Sequence, residues 1–213
     1  MTESRQGRRL GHGALLATVL LTCALLPVTP VRAGNLPATG QTTPNMADKD
    51  NGVGLDAVPD DGTLQRGATL KYKVLKNGTI KDLNTGLTWE MKCAACGGLH
   101  DVATSYRWSG NGFQETIWDW LEDINTEDGT GYAGHNDWRI PNVRELQSIV
   151  DYGLFSPAID PIFGSTTASS YWSSTTTALI LSDAWSVSFD IGFVGAFGKG
   201  GALVVRAVRG GPK

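Results

Sequence analysis

Three short apolar runs between Lys71 and Met91 are separated by two turn signals, and that spacing leaves no room for a long helix at the start of the folded region. Lys71 to Leu75 and Thr79 to Leu83 flank Asn77-Gly78, the pair that supplies positive φ angles in a type I′ hairpin turn. A second turn at Asn84-Thr85-Gly86 leads into Leu87 to Met91, so the three runs are expected to form a small antiparallel meander. Composition agrees with this reading. Twenty-seven Gly and nine Pro alongside seven Trp indicate a core of a few large side chains joined by tight turns, which favours a β-rich or irregular architecture over a helix bundle. With 41% hydrophobic and 18% charged residues, the chain is neither wholly disordered, collagenous nor coiled-coil.

Beyond a loop from Cys93 to Gly112, Ile117, Leu121 and Ile124 recur at helical spacing, predicting a helix from about Gln114 to Asn125. Asp137 to Ile140 is extended and stopped by Pro141. Asn142 and Glu145 then form an N-cap and capping-box pair for a second helix, about Val143 to Tyr152, with Val143, Leu146, Ile149 and Val150 as its buried stripe. Ser170 to Ser174, Ala184 to Asp190 and Leu203 to Val208 read as strands, the second with Trp185, Val187 and Phe189 on one face. The first and last strands are free to pair with each other. The expected fold class is α+β: two short helices, small twisted antiparallel sheets and long loops, in a domain covering residues 69–210.

The N-terminal part reads differently. Arg5, Arg8 and Arg9 precede an uncharged apolar run from Ala14 to Val28, and Val31-Arg32-Ala33 ends on a small residue, so residues 1–33 are expected to be a secretory signal peptide. That run is too short to span a bilayer. Removing those residues takes four Arg and one Glu from totals of 18 and 21, leaving 14 basic and 20 acidic residues and a net charge of −6. Nucleic acid is therefore not an expected partner. No second stretch is long enough to cross a membrane, and the mature chain is expected outside the cytoplasm: periplasmic, on the outer surface or secreted. Residues 34–68 are rich in Pro, Thr, Asp and Gly without apolar periodicity, and are expected to be loop-like. Their acidic run, Asp48, Asp50, Asn51, Asp56, Asp60 and Asp61, superficially suggests Ca2+ binding. Gly52 stands where an EF-hand requires its third acidic ligand, so solvated turns are the better reading and no metal site is assigned.

Few residues carry recognisable chemistry. Cys93 and Cys96 are expected to form a local disulfide worth about 2 kcal/mol, given so short a loop. The same Cys-x-x-Cys spacing serves thiol-disulfide oxidoreductases, but the strand-helix-strand context that activates their thiol is missing from the sequence. Gly97 after Cys96 excludes haem attachment, and His100 with the two cysteines lacks a fourth zinc ligand. Trp138, Trp172 and Trp185 are expected in the core. Trp108, in a polar loop and flanked by Tyr106 and Phe113, is the better candidate for an exposed contact. At least one of Arg139 and Arg206 is expected to point inward, with Glu145 or Asp137 as a partner for their guanidinium groups. No nucleophile or general-base motif, phosphate loop or dinucleotide fingerprint is present, and no catalytic residue is assigned.

Three groups of motifs occur in a fixed order: Gly78-Thr79-Ile80-Lys81-Asp82 with Thr85-Gly86-Leu87-Thr88-Trp89; Asp137-Trp138-Arg139-Ile140-Pro141-Asn142 with Glu145-Leu146; and Tyr171-Trp172-Ser173-Ser174-Thr175 with Ala184-Trp185 and Val205-Arg206-Ala207-Val208-Arg209. Together they resemble the Lcl C-terminal domain family, and Thr39-Gly40-Gln41-Thr42 and Asp60 to Gln65 look like the leader found before it. The resemblance implies a fold similar to C-type lectin-like domains and, more distantly, to the formylglycine-generating enzyme. It also implies an exported bacterial module that recognises glycans or host matrix without catalysis. The cysteines associated with the family's first helix and last strand are missing here, and Ala207 occupies the strand position. On this reading ligand contacts come from Tyr106, Trp108 and Phe113, and from the Gly-rich loop Ile191 to Gly201, which carries Lys199. Two further readings stand beside it: an exported enzyme, either a redox protein using Cys93 and Cys96 or a formylglycine-type oxidase, and a structural subunit of the envelope.

Overall fold

The computed structural model describes residues 36–43, 60–110, 112 and 115–211. The expected signal peptide, most of the acidic run and Phe113 lie outside the described residues. The architecture is mixed α+β. In chain order the elements are α1 (Asp61–Leu64), β1 (Tyr72–Val74), β2 (Ile80–Asp82), β3 (Leu87–Trp89), β4 (Ser105–Arg107), α2 (Ile117–Thr126), α3 (Val143–Gln147), β5 (Ser170–Thr176), β6 (Asp183–Ser188), β7 (Val194–Gly198), β8 (Ala202–Val204) and β9 (Val208–Gly210). Four strands form one sheet in the order β1-β2-β3-β9, and five form another in the order β4-β8-β5-β6-β7.

The expected meander is β1-β2-β3, antiparallel throughout. Its first turn is not type I′. Gly78 N–H donates to the Leu75 carbonyl at 3.0 Å, and of the Asn77-Gly78 pair only Gly78 has positive φ, at 78°. The loop is thus one residue longer, a type I turn closed by a left-handed glycine. The second turn is fastened by Asp82, whose buried carboxylate accepts the Asn84 N–H at 2.8 Å and the Thr85 hydroxyl at 2.6 Å. The last strand pairs with β3 rather than with β1.

Two further expectations are corrected around the second sheet. The run Leu203 to Val208 is not one strand: β8 belongs to the five-stranded sheet, β9 to the four-stranded one, and Val205-Arg206-Ala207 carry the chain between them. Periodicity misses this because the chain stays extended while it changes partners. The segment Ile191 to Gly201 is not simply a loop either, since it contains β7, paired with β6 in five consecutive registers from Asp183↔Gly198 to Val187↔Val194. Glycine within a strand hid it; a Cβ at Gly195 would meet the edge of the exposed Phe193 ring at 2.5 Å, so the ring lies over the bare glycine.

Both helices are where the sequence places them, each opened by a reciprocal capping box: Thr116 with Asp119 for α2, and Asn142 with Glu145 for α3. The second is shorter than expected. After Gln147 the Ser148 hydroxyl bonds back to the Glu145 carbonyl at 2.6 Å. The chain then leaves to pair elsewhere, Asp151 N–H with Ala158 and Tyr152 N–H with the Thr39 carbonyl. That last bond ties the leader to the domain. Residues 36–43 and 60–68 are docked rather than free-standing: Pro37 and Ala68 form a parallel bridge, the Thr39 hydroxyl donates to Asp61, and Gln65 Nε2 reaches the Thr42 carbonyl at 3.2 Å.

Neighbours in β5 point to opposite faces, so the five-stranded sheet is buried on both. Tyr171 and Val187 join Trp89, Leu146, Ile149 and Phe163 in one core, while Trp172 and Ala184 join Ile117, Trp120, Ile124 and Trp138 in the other. Fully buried Arg206 sits between them. Its guanidinium donates to the carbonyls of Glu90 at 2.8 Å, Phe163 at 3.3 Å and Ser165 at 3.3 Å, and to the Thr166 hydroxyl at 2.8 Å. The two terminal nitrogens of the inward arginine are therefore served by three backbone carbonyls and a hydroxyl rather than by a carboxylate, while Nε has no partner among the described residues. Arg206→Met leaves these acceptors dry, and a loss of about 3 kcal/mol is expected, read as a lower urea midpoint at unchanged m value.

Candidate functional site

A buried charged cluster begins one residue after β3. Glu90 and Lys92, two apart in an extended segment, share a side, and their side chains meet at 3.0 Å. Glu90 Oε2 also accepts the Ala207 N–H at 2.8 Å, and Oε1 accepts His100 Nδ1 at 2.7 Å. The other imidazole nitrogen of His100, Nε2, lies 3.1 Å from a Glu127 oxygen at the end of α2. With a carboxylate at each ring nitrogen, only the doubly protonated imidazolium satisfies both. Burial pushes the His100 pKa down, but the hydrogen bonds and charges of Glu90 and Glu127 outweigh it and raise the pKa above its ordinary value. Burial likewise pushes Glu90 up, and the Lys92 charge, His100 and the Ala207 N–H overcome it and lower its pKa. Lys92 is pushed down by burial, opposed by Glu90.

This cluster holds the loop carrying the Cys93–Cys96 disulfide. Lys92 Nζ and Trp120 Nε1 both donate to the Leu99 carbonyl, at 3.1 and 3.0 Å, and the Asp101 carboxylate accepts the N–H of Gly97 and Ala103 at 2.8 and 2.9 Å. Neither cysteine starts a helix; Cys93 lies in an isolated bridge with Asp101. His100 faces two carboxylates, not the sulfurs.

The exposed candidate surface lies beyond β4. Trp108 N–H and Ser109 N–H both donate to the Lys199 carbonyl, at 3.1 and 3.2 Å, so the two predicted contact loops meet. Lys199 Nζ stands 4.0 Å from the Trp108 ring centre and donates to Thr176 Oγ1 and the Leu181 carbonyl, both at 2.8 Å. Its polar head is thereby spent on holding Trp108 in place. Trp108 Nε1 donates to the Ser173 carbonyl at 2.9 Å, and the Trp118 ring meets Trp108 edge-on at 5.0 Å. Trp118 is 41% exposed. Phe197, 45% exposed, packs against Trp172 at 5.8 Å on the same side of the sheet.

The other predicted residues separate cleanly. Tyr106 is corrected: at 6% exposure it faces the core against Trp120, because alternation in β4 turns it inward. Trp89, Trp138 and Trp172 are buried, but Trp185 is corrected to a surface residue, 37% exposed. Arg139 pairs with Glu145 through two bonds of 2.7 Å, Asp137 pairs instead with Arg209 at 2.7 Å, and the Pro141 carbonyl receives the Ser174 N–H at 2.9 Å. Sequence reasoning missed Glu90, Lys92 and Glu127 as a unit, and Trp118 and Phe197 as surface aromatics. The spacing Glu90-x-Lys92 after a buried strand was the available signal for the first; for the second, helical spacing sets Trp120 three residues after Ile117 and four before Ile124, on the buried stripe, and leaves Trp118 off it.

Two outcomes follow from this arrangement. Because the folded pKa of His100 is raised, its contribution to stability is complete below the unfolded value near 6.5 and disappears as pH rises through the folded value. Thermal unfolding is therefore expected to show a midpoint that falls from neutral to alkaline pH, and His100→Gln flattens that slope. Cys96→Ser is expected to cost no more than about 2 kcal/mol in denaturant unfolding, since the loop is held independently by Asp101, Lys92 and Trp120.

No helix among the described residues is long and apolar enough to cross a membrane. No curated protein matches the chain. The Lcl C-terminal domain family matches residues 78–209, a span that runs from the Gly78 turn into β9 and takes in the five-stranded sheet, the four-stranded sheet except β1, the charged cluster and the aromatic surface; the chain belongs to that family.

Proposed function

We propose that this chain is an exported ligand-binding module with a C-type lectin-like fold that recognises glycans or matrix through non-covalent surface contacts. The observation that carries the reading is the set of aromatic rings near where the two loops meet: Trp118 and Phe197 expose large rings, and Lys199 holds Trp108 edge-on to Trp118. Sugar rings present apolar C–H faces that pack on indole and phenyl rings, and a site built from fixed aromatics loses little side-chain entropy on binding. The charged cluster beneath serves the same end. It pins the loop before β4 to α2, so Trp108 and Trp118 keep their relative geometry. Export is supported by the basic and apolar pattern of residues 1–33.

Binding of the purified chain to a broad array of glycans and matrix proteins, with and without EDTA and reductant, tests the reading. A reproducible ligand is expected, and Trp118→Ala and Phe197→Ala are each expected to weaken it at least about tenfold, on the order of 1.4 kcal/mol, without changing the circular dichroism spectrum. A blank array overturns the proposal, as does a ligand whose affinity ignores both substitutions. Loss of the signal in EDTA assigns a role to Ca2+.

A further inference from the structure

Four strands end the two sheets, and three of them carry a charge: Lys73 in β1, Arg209 in β9 and Arg107 in β4. Such charges discourage the open edge of a sheet from pairing with another chain. The fourth, β7, is the exception. It is the longest of the four, Val194-Gly195-Ala196-Phe197-Gly198, with no charge, proline or register break. Ser188 N–H donates to the Phe193 carbonyl and Lys199 N–H to the Ser182 carbonyl, so residues 193, 195, 197 and 199 turn their backbone toward β6. The backbone groups of Val194, Ala196 and Gly198 then point away from the sheet. Among the described residues, no chain pairs with that edge; the Gly198 carbonyl alone is engaged there, by Gly201 N–H.

We infer that β7 is a dimerisation edge, and that its occupant is β7 of a second copy of this chain in antiparallel register about a two-fold axis at Ala196. The edge is self-complementary. The axis sets Ala196 opposite Ala196 of the second copy and Val194 opposite Gly198, giving roughly six inter-chain hydrogen bonds at two per facing pair. No like charges meet: the first charged residue C-terminal to the strand, Lys199, comes opposite the uncharged Phe193 of the second copy. On one face the pairing places small Ala196 side chains beside the half-exposed Trp185 of each copy, covering apolar surface that the single chain leaves to solvent. The two five-stranded sheets become one, and on the other face the same register sets Phe197 opposite Gly195 of the second copy, so that ring lies at the seam.

Sedimentation equilibrium of the purified chain across the micromolar range tests this, together with two variants. Ala196→Pro removes an outward N–H while leaving the β6 ladder intact, and Ala196→Lys, at an exposed position, sets two like charges opposite each other on the axis. The wild-type mass is expected to reach twice that of one chain, and both variants are expected to sediment at half the wild-type mass, with a circular dichroism spectrum like that of the wild type and a thermal midpoint that no longer rises with concentration. If the proline variant fails to fold, the lysine variant carries the test alone. A wild-type chain that stays monomeric throughout overturns the inference. So does a dimer that survives the substitutions, or an assembly of any other order.

Discussion

A buried arginine that must be surrounded by acceptors organises the centre of this molecule. Arg206 occupies the short connection between β8 and β9, and its donors draw together the backbone at Glu90, at the turn containing Phe163 and at Ser165. A guanidinium deprived of water and of these carbonyls is far costlier than any single apolar contact is favourable, so the three segments cannot separate independently. Glu90 completes the junction. Its N–H reaches the Ala207 carbonyl at 3.0 Å while its carboxylate takes the Ala207 N–H at 2.8 Å, a side chain standing in for a ladder partner where the strand leaves one sheet for the other.

From that junction a chain of charges leads outward. Glu90 holds His100, His100 holds Glu127 at the end of α2, and α2 presents Trp118 to solvent beside Trp108. Each step is a short charge-assisted bond in a partly or fully dry place, where such bonds are strongest. The aromatic surface rests on a frame that reaches the middle of the protein, which gives side chains at the periphery the rigidity of core residues. Lys199 contributes from the opposite side. Its ammonium serves as a bracket on Trp108 rather than as a free cation.

Local rules made much of this legible in the chain. The positions of the turns at Gly78 and Gly86, the Asn142–Glu145 capping box, the Cys93–Cys96 disulfide and the Arg139–Glu145 pair rest on interactions between residues close in sequence, where spacing determines who can meet. Apart from the turn type at Gly78, which is local, the misreadings depend on partners far along the chain. An extended run such as Leu203 to Val208 looks the same whether it pairs with one sheet or changes between two. Trp185 alternates correctly with Val187 and Phe189, yet at its end of β6 it is 37% exposed. Glu127 and His100 are separated by 27 positions, and no periodicity links them. At the candidate surface the loops were identifiable from their composition, whereas the inward turn of Tyr106 required knowledge that Ser105 to Arg107 pairs with β8.

The order of the strands has a consequence for synthesis. β8 lies between β4 and β5 in one sheet, β9 closes the other beside β3, and both come from residues 202–210, after every other strand in the chain. Neither sheet can be completed while that segment is still being made, so the native contacts are mostly distant ones and productive folding waits for nearly the whole length. This topology builds a delay between synthesis and folding into the strand order itself.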